Sequence, residues 1–153
     1  MNTTDSRWPL GILFLMAFVG FSSCKRDLTD DAIPFVAFPD IVINLSLPLY
    51  NDLNSKGWIY VDGGVQGIIL YKASATSYLA FERNCSYNPI NNAGAIIFVD
   101  VSNLFMIDHT CSSSFDFNEG TPTGGPAWRP LRRYKTFLDG SQLTISSESA
   151  NGM

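Results

Sequence analysis

The side chains with the widest chemistry in this chain are three cysteines, Cys24, Cys85 and Cys111, and a single histidine, His109, which directly follows Asp108. Thiolate, imidazole and carboxylate groups bind iron or zinc, so Cys85, Cys111 and His109, with Asp108 as a further donor, are a candidate ligand set. If residues 108 and 109 are extended, their side chains point to opposite faces, which works against joint ligation. The competing outcome for two cysteines is a disulfide. Once Cys24 is assigned to an amino-terminal export segment, Cys85 and Cys111 are left as an even pair, and in an exported protein such a pair is expected to oxidise. The expectation is therefore a Cys85–Cys111 bond, with no metal held. Asp108 and His109 have no nucleophile at a spacing that reads as a triad, so no enzymatic activity is expected.

The amino terminus carries a different chemistry. Trp8 to Phe21 is an apolar run of 14 residues preceded by Arg7. That is short for a membrane-spanning helix and matches the apolar region of a signal peptide. The small pair Ser22-Ser23 followed by Cys24 reads as a lipoprotein cleavage site. Residues 1–23 are then the signal peptide, Cys24 the lipidated residue, and residues 24–39 a tether beginning Cys24-Lys25-Arg26-Asp27. Acyl chains contribute about 0.8 kcal/mol per buried CH₂, so several chains on Cys24 would hold the protein to a membrane without a spanning segment. The expected location is the cell envelope, lipid-anchored, at the outer membrane or periplasmic face. The membrane is the expected partner.

Composition limits the rest. At 153 residues, 46% apolar and 13% aromatic, the chain suffices for one domain with a buried core. Ten basic against 14 acidic residues leave a net charge of −4, which offers no electrostatic footprint for nucleic acid.

From Asp40 onward, short runs of β-branched and aromatic residues alternate with Gly, Asn, Asp and Pro clusters, which predicts an antiparallel all-β domain of about nine to ten short strands. Strands are expected at Ile41 to Leu45, Gly57 to Val61, Val65 to Tyr71, Ser77 to Arg83, Ala95 to Val99, Asn103 to Ile107, Phe115 to Phe117, Tyr134 to Leu138 and Gln142 to Ser146. Asp62-Gly63-Gly64 and Asp139-Gly140 predict tight turns. Pro48 to Lys56 reads as a loop, and Thr121 to Pro130, with three Pro and two Gly, holds no regular element. Arg129, Arg132 and Arg133 read as a solvated strand edge. Residues 149–153 form a frayed tail.

Cys85 and Cys111 stand 26 positions apart, each leading from a strand into a turn. Ser112-Ser113-Ser114-Phe115-Asp116-Phe117-Asn118-Glu119-Gly120 resembles the second cluster-holding loop of Rieske iron–sulfur domains, C-x-x-H-G-S-x-F-D, with Ser112 in place of Gly. Gly125-Pro126-Ala127, Pro130-Leu131, Tyr134 and the ending Asp139-Gly140-x-x-Leu143-x-Ile145 are similar to the stretch beyond that loop in many members. Gly64 to Tyr71 with Ala80 to Cys85 looks like the strands entering the first loop in Rieske-like lipoproteins of Bacteroidetes type. The resemblance covers residues 40–148, and implies a Rieske-like antiparallel sandwich or barrel with [2Fe-2S] as the family cofactor.

Rieske centres hold one iron by two Cys and the other by two His. By that resemblance, the four cluster positions fall on Cys85, Tyr87, Asp108 and Cys111, so Cys85 alone keeps its ligand type. A chain with one histidine cannot supply two imidazoles from one molecule. The resemblance thus implies a degenerate, cluster-free domain acting as a structural or interaction module. The alternative is an electron-transfer protein with a nonstandard [2Fe-2S] ligand set. A Cys85–Cys111 disulfide would tie the two former cluster loops together, stabilising the fold by roughly 3 kcal/mol in the chain-entropy model.

Overall fold

The computed structural model of the chain describes residues 32–91 and 94–150. The signal peptide, Cys24 and the first part of the tether lie outside the described residues. Among the described residues there are ten strands: β1 (Ile41–Asn44), β2 (Trp58–Val61), β3 (Ile68–Lys72), β4 (Tyr78–Glu82), β5 (Ile97–Val99), β6 (Met106–Asp108), β7 (Ser114–Phe115), β8 (Pro122–Gly124), β9 (Arg133–Asp139) and β10 (Gln142–Ser149). They form an antiparallel six-stranded sheet in the order β1-β10-β9-β4-β3-β2 and an antiparallel four-stranded sheet in the order β5-β6-β7-β8. The all-β expectation holds.

The β3–β4 pair contributes to both cores of the domain. Ile68, Ile69 and Leu70 are all fully buried, because both faces of β3 are covered. Ile68 and Leu70 face a core with Ile43, Ala80, Tyr134 and Leu143, whereas Ile69 and Phe81 face a second core with Ile97, Met106, Phe115 and Leu131. An unbroken apolar run is what a strand covered on both sides requires. The second core lies beneath the four-stranded sheet and includes Cys85.

Several boundaries differ from the sequence reading, each for a local reason. The strand expected from Val65 starts only at Ile68, because the backbone N–H groups of Val65 and Gln66 donate to the carboxylate of Glu82, at 2.8 and 3.0 Å, instead of joining a ladder. Glu82 is fully buried and also accepts from the Tyr134 hydroxyl (2.6 Å) and the Asn84 N–H (2.9 Å). Gly64 closes this arrangement at φ +66°, and a Cβ there would collide with the Glu82 carboxylate and the Tyr134 hydroxyl. Asn103 and Leu104 fall in a turn, with Asn103 at φ 59°. The Pro48 to Lys56 loop contains a 3-10 turn at Pro48–Tyr50 and a single helical turn, α1 (Asp52–Ser55). The Pro- and Gly-rich segment does hold a short edge strand, β8, where a proline is tolerated.

At the termini the domain is larger than expected. Within the segment read as tether, Ile33 is buried and Phe38 packs edge-on against Tyr134 at 5.0 Å. Arg132, expected on a solvated edge, is buried, donates to the Ile33 carbonyl at 2.7 Å and lies over Phe35. At the other end β10 runs through Ser149, whose register partner is Tyr134, so the fraying expected from residue 149 does not begin there.

Candidate functional site

Two turns meet above the second core. The first follows β4. Asn84 forms an isolated bridge with Ile96, and the Cys85 N–H donates to the Ala95 carbonyl at 3.1 Å, which places Cys85 at the last ordered position before the chain turns away. Ser86 ties that turn to the Pro-rich segment by donating its hydroxyl to the Arg129 carbonyl at 2.6 Å. The second turn joins β6 to β7. Asp108 accepts the Thr110 N–H on Oδ1 (2.7 Å) and the Ser112 N–H on its backbone carbonyl (2.8 Å), while its own N–H donates to the Ser113 carbonyl (2.9 Å). Ser112 sits at φ 60°, the left-handed conformation needed to close the loop.

The Pro-rich segment clamps this second turn from outside. Gly125 adopts φ +81°, and a Cβ there would lie 2.5 Å from Ser113 Cα. The Ala127 N–H donates to Ser113 Oγ at 3.0 Å.

The result is a thiol–carboxylate–thiol group in which one ligand atom from each of Cys85, Asp108 and Cys111 lies within 4.8 Å of the others. Cys85 and Asp108 are fully buried; Cys111 is half-buried. The two Sγ atoms are 3.8 Å apart. Cys111 Sγ lies 3.1 Å from Asp108 Oδ2 and 3.1 Å from Ser113 Oγ, and the Tyr87 N–H donates to Cys85 Sγ at 3.5 Å.

Electrostatics follow from burial. Desolvation pushes the Cys85 thiol well above its ordinary pKa; the Tyr87 N–H opposes the shift, and Asp108 and Cys111 add to it. Desolvation also works against the charge on Asp108. Hydrogen bonds from the thiols of Cys85 and Cys111 and from the N–H groups of Thr110 and Cys111 outweigh it, holding the carboxyl below its ordinary value. The group is a buried carboxylate set against two cysteine sulfurs.

This corrects two expectations. The Cys85–Cys111 disulfide is not formed. Both thiols are free, and their 3.8 Å separation far exceeds the about 2.05 Å of an S–S bond, because Cys111 is turned toward Asp108 and Ser113. The ligand set built on His109 is also not assembled. His109 is exposed and rests against Phe98, ring centroids 5.6 Å apart, because β6 ends at Asp108 and His109 opens the turn that follows. Tyr87 contributes only its backbone, its side chain being 39% exposed. Of the four positions that the family resemblance marked, Cys85, Asp108 and Cys111 converge.

Sequence reasoning missed Ser113, whose hydroxyl is the second partner of Cys111, and the Glu82–Tyr134 cluster. For the latter a signal existed, a glutamate at the end of an otherwise apolar strand.

No family model matches the chain, and no curated protein matches it. Among solved structures, the chain is similar to the cyanobacterial plasma membrane Rieske protein from Synechocystis at 18% identity, with 69% of this chain and 98% of that one covered and a TM-score of 0.55. It also aligns with the ferredoxin of carbazole 1,9a-dioxygenase from Nocardioides aromaticivorans (18% identity, 61% and 86% covered, TM-score 0.44). A complex of reduced oxygenase and oxidized ferredoxin in carbazole 1,9a-dioxygenase gives 14% identity, 61% and 83% covered and a TM-score of 0.44. The first likeness establishes a Rieske-like fold. The donor set does not match a Rieske centre, since the converging groups are two thiols and a carboxylate and no imidazole joins them among the described residues.

Proposed function

We propose that this Rieske-fold chain is an exported, lipid-anchored cell-envelope protein whose domain carries no two-iron cluster and serves as a noncatalytic structural or interaction module. The observation that supports it best is the second turn. At the positions the family resemblance assigns to a cysteine and a histidine stand Asp108, its carboxylate engaged with both thiols, and Cys111, hydrogen-bonded to Asp108 and Ser113. The only histidine of the chain points away. The leader run and Cys24 support export and acylation; no helix among the described residues is long and apolar enough to cross a membrane.

The full chain, expressed aerobically in a bacterium with its own leader and extracted in detergent, tests both halves. A colourless protein without acid-labile sulfide, found in the membrane fraction and labelled by fatty acid unless Cys24→Ser is introduced, is the expected result. Broad visible absorption with two irons per chain and a Rieske-type EPR signal on reduction would establish the electron-transfer reading instead. Unlabelled protein in the soluble fraction would remove the lipoprotein reading.

A further inference from the structure

We infer that Cys85, Asp108 and Cys111 form a binding site for a single divalent ion of the zinc type, held by two thiolates and one carboxylate with the fourth tetrahedral position open. The inference rests on the cluster-free reading and assigns that site a ligand.

The distances are close to those of a tetrahedral centre. A tetrahedral ion with metal–sulfur bonds of about 2.3 Å places its two sulfurs about 3.8 Å apart, and a carboxylate oxygen at about 2.0–2.2 Å places that oxygen about 3.5 Å from each sulfur. The Sγ atoms of Cys85 and Cys111 are 3.8 Å apart, and Asp108 Oδ2 is 3.1 Å from Cys111 Sγ. The sulfur edge is already in place, the edge from Cys111 to Asp108 must lengthen by about 0.4 Å when a metal replaces the thiol proton, and the edge from Cys85 to Asp108 lies within 4.8 Å.

The surroundings are those of a held ligand set. The Thr110 N–H occupies Asp108 Oδ1 and leaves Oδ2 facing the sulfurs. The Tyr87 N–H points at Cys85 Sγ, and the Gly125 approach to Ser113 fixes the turn bearing Cys111. Outer contacts of this sort orient ligands and set affinity. Two sulfurs and one oxygen in tetrahedral array suit zinc better than magnesium or calcium, which take oxygen ligands. Binding is balanced as M²⁺ plus two thiols plus one carboxylate giving a complex of net charge −1 and two released protons. Cys111, half-buried, is the member through which the open position meets solvent.

Cobalt(II) provides the readout. The full chain, treated with chelator and kept in a phosphine reductant, is titrated with cobalt and then with zinc. The expected result is one cobalt per chain, a sulfur-to-cobalt charge-transfer band in the near ultraviolet, intense four-coordinate ligand-field bands in the visible, and bleaching by one equivalent of zinc. The Cys24→Ser chain gives the same spectrum, which sets aside the third thiol. Cys85→Ser and Cys111→Ser each weaken the charge-transfer band. Asp108→Asn, which keeps the size of the side chain, weakens cobalt binding at least about tenfold, and His109→Ala binds as the unaltered protein does. A folded, reduced protein, judged by near-ultraviolet circular dichroism, that develops no cobalt spectrum overturns the site. So does binding that depends on His109 and not on Asp108. Copurifying iron with acid-labile sulfide would remove the cluster-free reading beneath it, whereas an iron-free protein without a cobalt spectrum leaves that reading standing and refutes the metal site alone.

Discussion

Asp108 is the residue on which the site turns. Its carboxylate is buried and is kept ionised by hydrogen bonds from two thiols and two backbone N–H groups. Because its pKa is lower in the folded than in the unfolded chain, its charge stabilises the fold above the ordinary carboxylate range, and that contribution is lost as pH falls through the folded value. Asp108→Ala is therefore expected to lower stability by about 1–3 kcal/mol at pH 7, by urea denaturation, and to lose less of its remaining stability than the unaltered protein on acidification. Equal acid sensitivity in both proteins would show that Asp108 is not charged in the fold. Its neighbour His109 was legible as a rival ligand; which of the two met the cysteines was decided by where β6 ends, with Asp108 closing the strand and His109 opening the turn.

At the scale of elements, two turns and a clamp decide the geometry. Cys85 is held by its N–H bond to the Ala95 carbonyl beside the Asn84–Ile96 bridge, Cys111 by the β6–β7 turn, and Gly125 presses the loop after β8 onto that turn. A side chain at residue 125 must push Ser113 away, and the backbone there is in the left-handed region. Gly125→Ala is expected to cost at least about 1 kcal/mol and to loosen the turn, so that Cys111 is alkylated faster while Cys85, enclosed in the second core, remains slow. Mass-resolved alkylation rates check this, and unchanged labelling of Cys111 would mean that the clamp does not hold it. The strands on either side were readable from β-branched runs and Gly-containing turns. The start of β3 was not, because Val65 and Gln66 are drawn out of the ladder by the buried carboxylate of Glu82, 17 and 16 residues further along. Burial and that carboxylate together also raise the Tyr134 phenol above its ordinary pKa.

In the whole molecule, the described residues before β1 belong to the domain. Ile33 is buried, Phe38 packs on Tyr134, and Arg132 reaches the Ile33 carbonyl. Phe38 is half-buried, so Phe38→Ala is expected to destabilise the fold by about 1–2 kcal/mol in urea denaturation, less than a fully buried aromatic would. No measurable change would return residues 32–39 to the role of a free tether.

The all-β class, the spacing of the two cysteine turns and the shortage of histidine were legible before any folding, because strand periodicity, turn residues and ligand counts are properties of the linear chain. Tertiary structure alone decided that Asp108 and not His109 joins Cys85 and Cys111, that the thiols stand at 3.8 Å without bonding, and that Ile33 and Arg132 seal the domain. Each of those outcomes depends on which groups distant in sequence are excluded from water together, and a buried carboxylate then takes whatever donors the fold places beside it.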